Sequence, residues 1–126
     1  MGYDVYITRA NNWFEAKADP IVLEEWLDYV RSDPEMRLDG VAVADSASGE
    51  SIRYTNRGLS VWTKYSRDGE DGNHAWFDLQ GGCVVVKNPD REILVKMFQV
   101  AMHFKARVQG DEGENYDLEG NPITDF

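Results

Sequence analysis

Cysteine is almost absent from this 126-residue chain, which contains Cys83 alone. A single cysteine cannot form an internal disulfide. Because Cys83 is followed by Val84, Val85 and Val86, we expect it to be a small apolar side chain buried in a strand. A nucleophilic cysteine needs an electropositive, partly exposed setting, which this run does not supply. The sequence therefore predicts a structural thiol.

Long hydrophobic runs are also missing. No stretch approaches the roughly 18 apolar residues of a membrane span. The opening Met-Gly-Tyr-Asp-Val-Tyr has no basic segment followed by an apolar one, and Tyr6 stands where myristoylation requires a small residue. We expect neither export nor membrane insertion, and so a soluble cytoplasmic protein.

Recognisable catalytic and metal-binding motifs are absent as well. The sequence has no G-x-S-x-G, P-loop, H-E-x-x-H or C-x-x-C pattern. Its two histidines, His74 and His103, lack nearby partner residues in the sequence, and the position of His103 late in a helix suits a structural role. The acidic loops do not follow the spacing of a calcium-binding loop. We predict no catalytic residue, no metal and no cofactor.

Positive charge is scarce, since 13 Lys and Arg face 23 Asp and Glu, and the net charge is −10. The last segment, 108–126, carries six acidic residues and no Lys or Arg. Such a field repels phosphate backbones and anionic lipid, and it favours encounter with basic surfaces. We therefore expect no nucleic acid or membrane partner. The alternative is that the acidity only keeps the protein in solution.

Hydrophobic content is sufficient for a folded core, and the pattern of apolar residues predicts a mixed α and β domain. Alternation and turn residues predict strands at 3–8, 36–44, 52–55, 59–65, 75–79, 83–87 and 105–109. A loop at Asn56-Arg57-Gly58 is predicted to use the positive φ that glycine allows. Residues 9–18 are interpreted as a polar loop.

Two helices are predicted from caps and periodicity. One begins at Asp19-Pro20 and ends at Asp33-Pro34, and the other follows Asn88-Pro89-Asp90 with a broad apolar face. The predicted order is β-α-β-β-β-β-β-α-β. This order predicts an α+β fold with one antiparallel sheet of about five to six strands and two helices packed on one face. We assign 1–118 to a single domain and 119–126 to a loosely ordered acidic tail.

Large aromatics beside carboxylates form the candidate contact surface. Trp62 and Trp76 lie in predicted strands, where burial is expected. Aromatics in loops are also common interface anchors, and acidic loops suit a basic partner. The predicted partner-binding residues are Trp13, Phe14, Asp68, Glu70, Asp71, Asp111, Glu112, Glu114 and Tyr116.

Several segments resemble a group of small uncharacterised bacterial proteins. They are 2–10 with Trp13, Glu25-Trp26, 32–40 and 108–114, whereas 41–73 matches less well. Proteins of that group are similar in size and charge to immunity proteins of interbacterial toxins, including type VI secretion effectors. The resemblance implies a non-enzymatic toxin inhibitor, as a monomer or small homo-oligomer, that occludes a cognate cytoplasm-acting toxin.

Two other functions remain open from the residues alone. One is a small enzyme that uses a carboxylate and His74 in a pocket walled by Trp62 and Trp76. The other is an acidic adaptor or regulatory protein, which would carry the same negative surface without antagonising a toxin. A pocket that brings His74 within hydrogen-bond reach of a carboxylate would favour the enzyme.

Overall fold

The fold is that of a computed structural model, which describes residues 3–45, 49, 51–70 and 74–123. Of residues 41–45, 51, 52 and 54 only the backbone is described. The elements are β1 (Asp4–Thr8), a 3₁₀ helix (Trp13–Ala18), α1 (Leu23–Ser32), β2 (Met36–Leu38), β3 (Val41–Asp45), β4 (Ser51–Thr55), β5 (Ser60–Trp62), β6 (Ala75–Gln80), β7 (Cys83–Lys87), α2 (Arg91–His103), β8 (Arg107–Gly110), β9 (Asn115–Tyr116) and β10 (Pro122–Ile123).

The chain forms an α+β fold around one antiparallel sheet, in the order β10-β9-β8-β1-β7-β6-β5-β2. Strand β1 lies inside it, with Tyr6 opposite Val85 of β7 and Gln109 of β8. The predicted count of five to six strands is wrong, because this sheet has eight. Two of the additional strands, β9 and β10, contain only two residues each, which is too short for an alternating pattern to be recognised.

A separate two-stranded ladder pairs β3 with β4. The sequence predicted one strand over 36–44, but the chain turns between β2 and β3, where Gly40 has φ +76°. The amides of Asp39 and Gly40 both donate to the carbonyl of Leu59, at 3.0 and 2.9 Å. A φ in the left-handed region ends a strand and favours glycine. The two halves of the predicted strand therefore belong to different ladders.

The main core lies between the sheet and the two α helices. Val5 and Ile7 of β1 share one buried cluster with Trp26 of α1 and with Met97 and Val100 of α2. The carboxylate of Asp90 accepts a hydrogen bond from the amide of Ile93 at 2.9 Å and caps α2, which begins directly after the predicted Asn88-Pro89-Asp90 start. Helix α1 begins at Leu23, later than the predicted Asp19-Pro20 start.

The opposite side of β1 is covered by the 3₁₀ helix, which lies within the residues 9–18 that were predicted to form a polar loop. Ala16 of this helix packs with Tyr6, Cys83 and Val85 in a second buried cluster, and Trp13 lies against it. A 3₁₀ helix of six residues is too short to show a long apolar period, so the sequence pattern does not reveal it. The sheet is thus covered by α helices on one side and partly by this 3₁₀ helix on the other.

The chain beyond Tyr116 returns along the edge of the sheet. β10 pairs with β9, inside the 119–126 stretch that the sequence assigned to a loose tail. Arg91 at the start of α2 donates to the carbonyl of Glu119 at 3.1 Å and to the side chain of Asn121 at 2.6 Å. Residues 124–126 lie outside the described part. Within the described ranges no helix has the length and apolar character needed to cross a bilayer.

Candidate functional site

Two segments far apart in sequence meet at one end of the sheet. The indole N–H of Trp13 donates to the carbonyl of Asp111 at 3.3 Å, and the backbone amide of Trp13 donates to Gln109 Oε1 at 2.6 Å. This brings the predicted aromatics of the 3₁₀ helix beside the acidic turn after β8. We call the resulting surface the edge patch; its residues are Trp13, Phe14, Asp111, Glu112, Glu114 and Tyr116.

The carboxylates of Asp111 and Glu114 are held by tyrosines of the same surface. Asp111 accepts from the hydroxyl of Tyr6 at 2.6 Å and from the amide of Asp4 at 2.8 Å. Glu114 accepts from the hydroxyls of Tyr3 and Tyr116. These hydrogen bonds fix the direction of both carboxylates. Oε1 of Glu114 is buried and has no hydrogen-bond partner among the described residues, so the half-buried Asp111 is the one of the two that a partner could reach.

The charge of this surface is maintained by those contacts. Burial alone would raise the pKa of Glu114, but hydrogen bonds from Tyr3 and Tyr116 outweigh it and hold that pKa below its usual value. Burial and the neighbouring Glu114 raise the pKa of Tyr3 to about 12. The tyrosines therefore stay neutral donors at neutral pH while the carboxylate stays ionised.

Two side chains of the edge patch project into solvent. Phe14 is 68% exposed, and its ring meets that of Trp13 edge to face at a centroid distance of 5.6 Å. Glu112 is also exposed. Trp13 itself stacks on Tyr6, with ring centroids 4.3 Å apart and planes 6° from parallel. The patch thus combines a rigid aromatic base with one exposed aromatic ring and one exposed carboxylate.

The other predicted acidic residues lie elsewhere. Asp68 and Glu70 precede β6, which is three strand spacings, or about 14 Å, from β8 across the sheet. Asp68 Oδ1 lies 2.8 Å from His74 Nδ1, and Glu70 pairs with Arg67 at 3.4 Å. Asp71 falls outside the described residues. The structure therefore separates the acidic loop before β6 from the edge patch.

A cavity of about 500 Å³ lies beside this second loop. Among the described residues it is lined by Leu59, Tyr65, Arg67, Glu70, His74, Ala75, Trp76, Asp78, Gln80, Val85, Val86, Lys87, Asn88 and Ile93. His74 and Trp76 of the enzyme alternative line it. Trp62 does not: it is 8% exposed and stacks on Tyr65 with ring centroids 5.9 Å apart. The cavity thus holds a histidine paired with a carboxylate, beside one of the two expected tryptophans.

The structure contains a buried ionic cluster that was not predicted from the sequence. Lys96 of α2 places its Nζ 2.8 Å from Asp33 Oδ2 and 3.1 Å from Glu35 Oε1, and its side chain is 5% exposed. Asp33 also accepts from Tyr29, and Glu35 accepts from the indole N–H of Trp62 at 3.1 Å. A lysine between Val95 and Met97 on an apolar helix was the signal available in the sequence. The cluster ties together α1, β2, β5 and α2.

The described residues form no metal site, and the chain has no match among known proteins. Among residues 3–45, 49, 51–70 and 74–123 no group of three or more His, Cys, Asp or Glu is placed to hold a metal ion. Neither a protein-family model, nor a curated protein, nor a solved structure matches this chain. The resemblance to the small bacterial immunity-like proteins therefore stays a hypothesis.

Proposed function

We propose that this chain is an immunity protein that binds a cognate bacterial toxin acting in the cytoplasm and blocks its active site. The observation that carries the proposal is the edge patch, where exposed Phe14 lies beside Trp13 and the acidic turn at 111–114. Aromatic anchors within a charged rim are typical of protein interfaces. The protein itself would catalyse no reaction.

The geometry of the patch supports a basic partner surface. Asp111 is oriented by the hydroxyl of Tyr6, so little side-chain entropy is lost when an Arg or Lys of the partner approaches. Exposed Glu112 extends the same negative charge outward. Complementary charge raises association rates and suppresses binding to other acidic proteins. A toxin with a basic cleft, such as one that acts on nucleic acid or nucleotides, fits this surface.

The proposed contact predicts which variants of this protein restore the growth of cells that express the toxin. The proposal predicts a toxin gene immediately upstream of the gene for this chain, and the rescue test expresses that toxin from an inducible plasmid. Wild-type protein should restore growth and copurify with the toxin. The double variant Phe14→Ala, Glu112→Lys should lose rescue, because it removes the anchor and reverses the rim charge. Glu24→Lys on the exposed side of α1 is the matched control for charge and should rescue fully.

Two results would contradict the proposal. One is failure of the wild-type protein to rescue or to copurify with the toxin. The other is full rescue by the double variant, which would place the contact away from the edge patch. An acidic adaptor would bind through the same surface without any rescue, so growth distinguishes the two functions.

A second function is supported by the His74 and Asp68 pair. A carboxylate at 2.8 Å from Nδ1 favours the tautomer that leaves Nε2 able to accept a proton. Because His74 also lines the cavity, this pair could act as a general base toward a small substrate. A panel of nitrophenyl ester and phosphate substrates tests it: turnover by the wild type that is lost in His74→Gln supports an enzyme, and no turnover on the panel argues against it.

A further inference from the structure

The cavity opens where two neighbouring strands separate. Strands β6 and β7 pair through Asp78 with Val85, Leu79 with Val84 and Gln80 with Cys83. Toward its start β6 pairs instead with β5, and Val86 and Lys87 at the end of β7 pair with β1. Trp76 and Lys87 are the residues that would face each other if the β6–β7 register continued by two positions. Both line the cavity between the diverging strands.

Trp76 has a hydrogen-bond donor that no described residue accepts. The indole N–H groups of the other three tryptophans donate to Asp111, Gly58 and Glu35, at 3.3, 2.7 and 3.1 Å. Trp76 makes no such bond to any described residue, although it is half-buried. A half-buried donor without an acceptor is free to bind an acceptor supplied by a ligand.

Lys87 supplies a positive charge at the same place, with Asp4 opposite it across the β1–β7 pair. In a chain with 23 acidic residues, Lys87 forms no ion pair with any residue in the described ranges. The acidic residues around the cavity already have partners: Asp68 contacts His74, Glu70 contacts Arg67, and Asp78 accepts from the side-chain amides of Asn56 and Gln80, both at 2.6 Å. Asp78 keeps its negative charge among these neutral donors, so the lining has charges of both signs, and Lys87 is the lining residue whose positive charge forms no ion pair with a described residue.

We propose that this cavity binds a small carboxylate that has an apolar or aromatic body. The carboxylate would accept from the ammonium group of Lys87 and the indole N–H of Trp76, neither of which is bonded to a described residue. The apolar body would lie against Leu59, Val85 and Ile93. A volume of about 500 Å³ is within the roughly 300–1,000 Å³ usual for small-ligand sites.

This site is independent of the proposed immunity function, because it shares no residue with the edge patch. The carboxylate could come from a free organic acid or from the C-terminus of a peptide with an apolar last residue, since both present the same group. Phenylpropionate represents the free acid. Acetyl-glycyl-phenylalanine represents the peptide C-terminus, and the two neutral amides of these compounds serve as matched ligands without the charge.

The test is a titration of the full chain with each acid and each amide, in which NMR monitors the indole N–H resonances. The resonance of Trp76 is assigned as the one lost in Trp76→Phe. We expect phenylpropionate, the peptide acid or both to shift this resonance, whereas the amides leave it unmoved. Preference for the free acid or for the peptide identifies the source of the carboxylate. Equal binding of acid and amide, or no binding of either acid, would overturn the proposal.

Single substitutions measure the contributions of Lys87 and Trp76 to binding separately. Lys87→Gln should weaken binding at least about tenfold, because it removes a hydrogen bond to a charged group. Trp76→Phe keeps the aromatic wall and should weaken binding by about fivefold, measured by calorimetry. Lys17→Gln is the control, since this exposed lysine does not line the cavity. Thermal unfolding of each variant verifies folding. Equal weakening by Lys17→Gln and Lys87→Gln would contradict a local site and indicate an effect of overall charge.

Discussion

Lys96 Nζ lies 2.8 Å from Asp33 Oδ2, and the two side chains are only 5% and 10% exposed. A cation at this depth is tolerated because two carboxylates and two further hydrogen-bond donors complete the cluster. Removing the ammonium group of Lys96 would leave Asp33 and Glu35 close together without a counter-charge. We expect this pair to determine much of the stability of the fold, since it joins the end of α1 to the middle of α2.

The first prediction concerns the loss of that charge. Lys96→Met keeps the length of the side chain and removes the ammonium group, which should destabilise the protein by about 3–5 kcal/mol. Urea unfolding followed by tryptophan fluorescence measures the change. Arg31→Ala, which removes the exposed pair with Asp28, is the control and should change the free energy of unfolding by less than about 1 kcal/mol. A small effect of Lys96→Met would mean that the cluster does not contribute as proposed.

The same cluster predicts a dependence of stability on pH. Burial alone would raise the pKa of Asp33, but hydrogen bonds from Lys96 and Tyr29 lower it, and Trp62 and Lys96 lower the pKa of Glu35. A pKa that is lower in the folded state gives stability that is present above the unfolded value, about 4, and is lost as pH falls through the folded value. The free energy of unfolding should therefore decrease on acidification below about pH 4.

A comparison of variants assigns this pH dependence. In Lys96→Met the two carboxyls lose the partner that keeps them ionised, so protonation no longer costs the same interaction. The difference in free energy of unfolding between wild type and variant should narrow as pH is lowered from 6 toward about 3. A difference that stays constant over this range would show that other carboxyls are responsible.

The sequence predicted those parts of the fold whose signals are local. Asp90 and the apolar face of α2 are such signals, and Cys83 with its three valines predicted β7. At Gly58 the local sequence was misleading, because the positive φ predicted for this residue is wrong. Gly58 is instead closely packed, and a Cβ on it would lie 2.8 Å from Leu79 Cβ and 3.3 Å from Trp26 Cδ1. Such a contact depends on tertiary structure and leaves no periodic pattern.

For the candidate sites, as for the fold, the sequence predicted residue types but not which segments come together. Residue type indicated Trp13, Phe14 and the acidic turn as a surface, and nothing in the spacing indicated that they meet across the sheet edge. The donors of Trp76 and Lys87, neither of which is bonded to a described residue, could not be recognised from sequence, because their isolation depends on where β6 and β7 separate. Pairing between distant segments determines both sites, and a single sequence does not specify it.

Adjacent aromatics of the edge patch should respond differently to truncation. Trp13→Ala removes the stack on Tyr6 and the indole hydrogen bond to Asp111, and should destabilise the protein by about 2–4 kcal/mol. Phe14→Ala removes a ring that is 68% exposed and should change stability by less than about 0.5 kcal/mol. Chemical unfolding of the two variants measures both values. Equal destabilisation would mean that Phe14 is a structural residue, and its proposed role as a contact would fail.

Cys83 should be unreactive in the native protein. Its thiol is buried in β7, and burial raises its pKa to about 11, so little thiolate exists at pH 8. A thiol-specific chromogenic reagent should react with native protein at least about a hundredfold more slowly than with protein unfolded in urea. Cys83→Ala gives the background rate. Because the 3₁₀ helix covers this residue through Ala16, loosening that helix by Trp13→Ala should accelerate the native reaction, whereas Phe14→Ala should leave it unchanged. Fast labelling of the native wild type would contradict the packing of the 3₁₀ helix against the sheet.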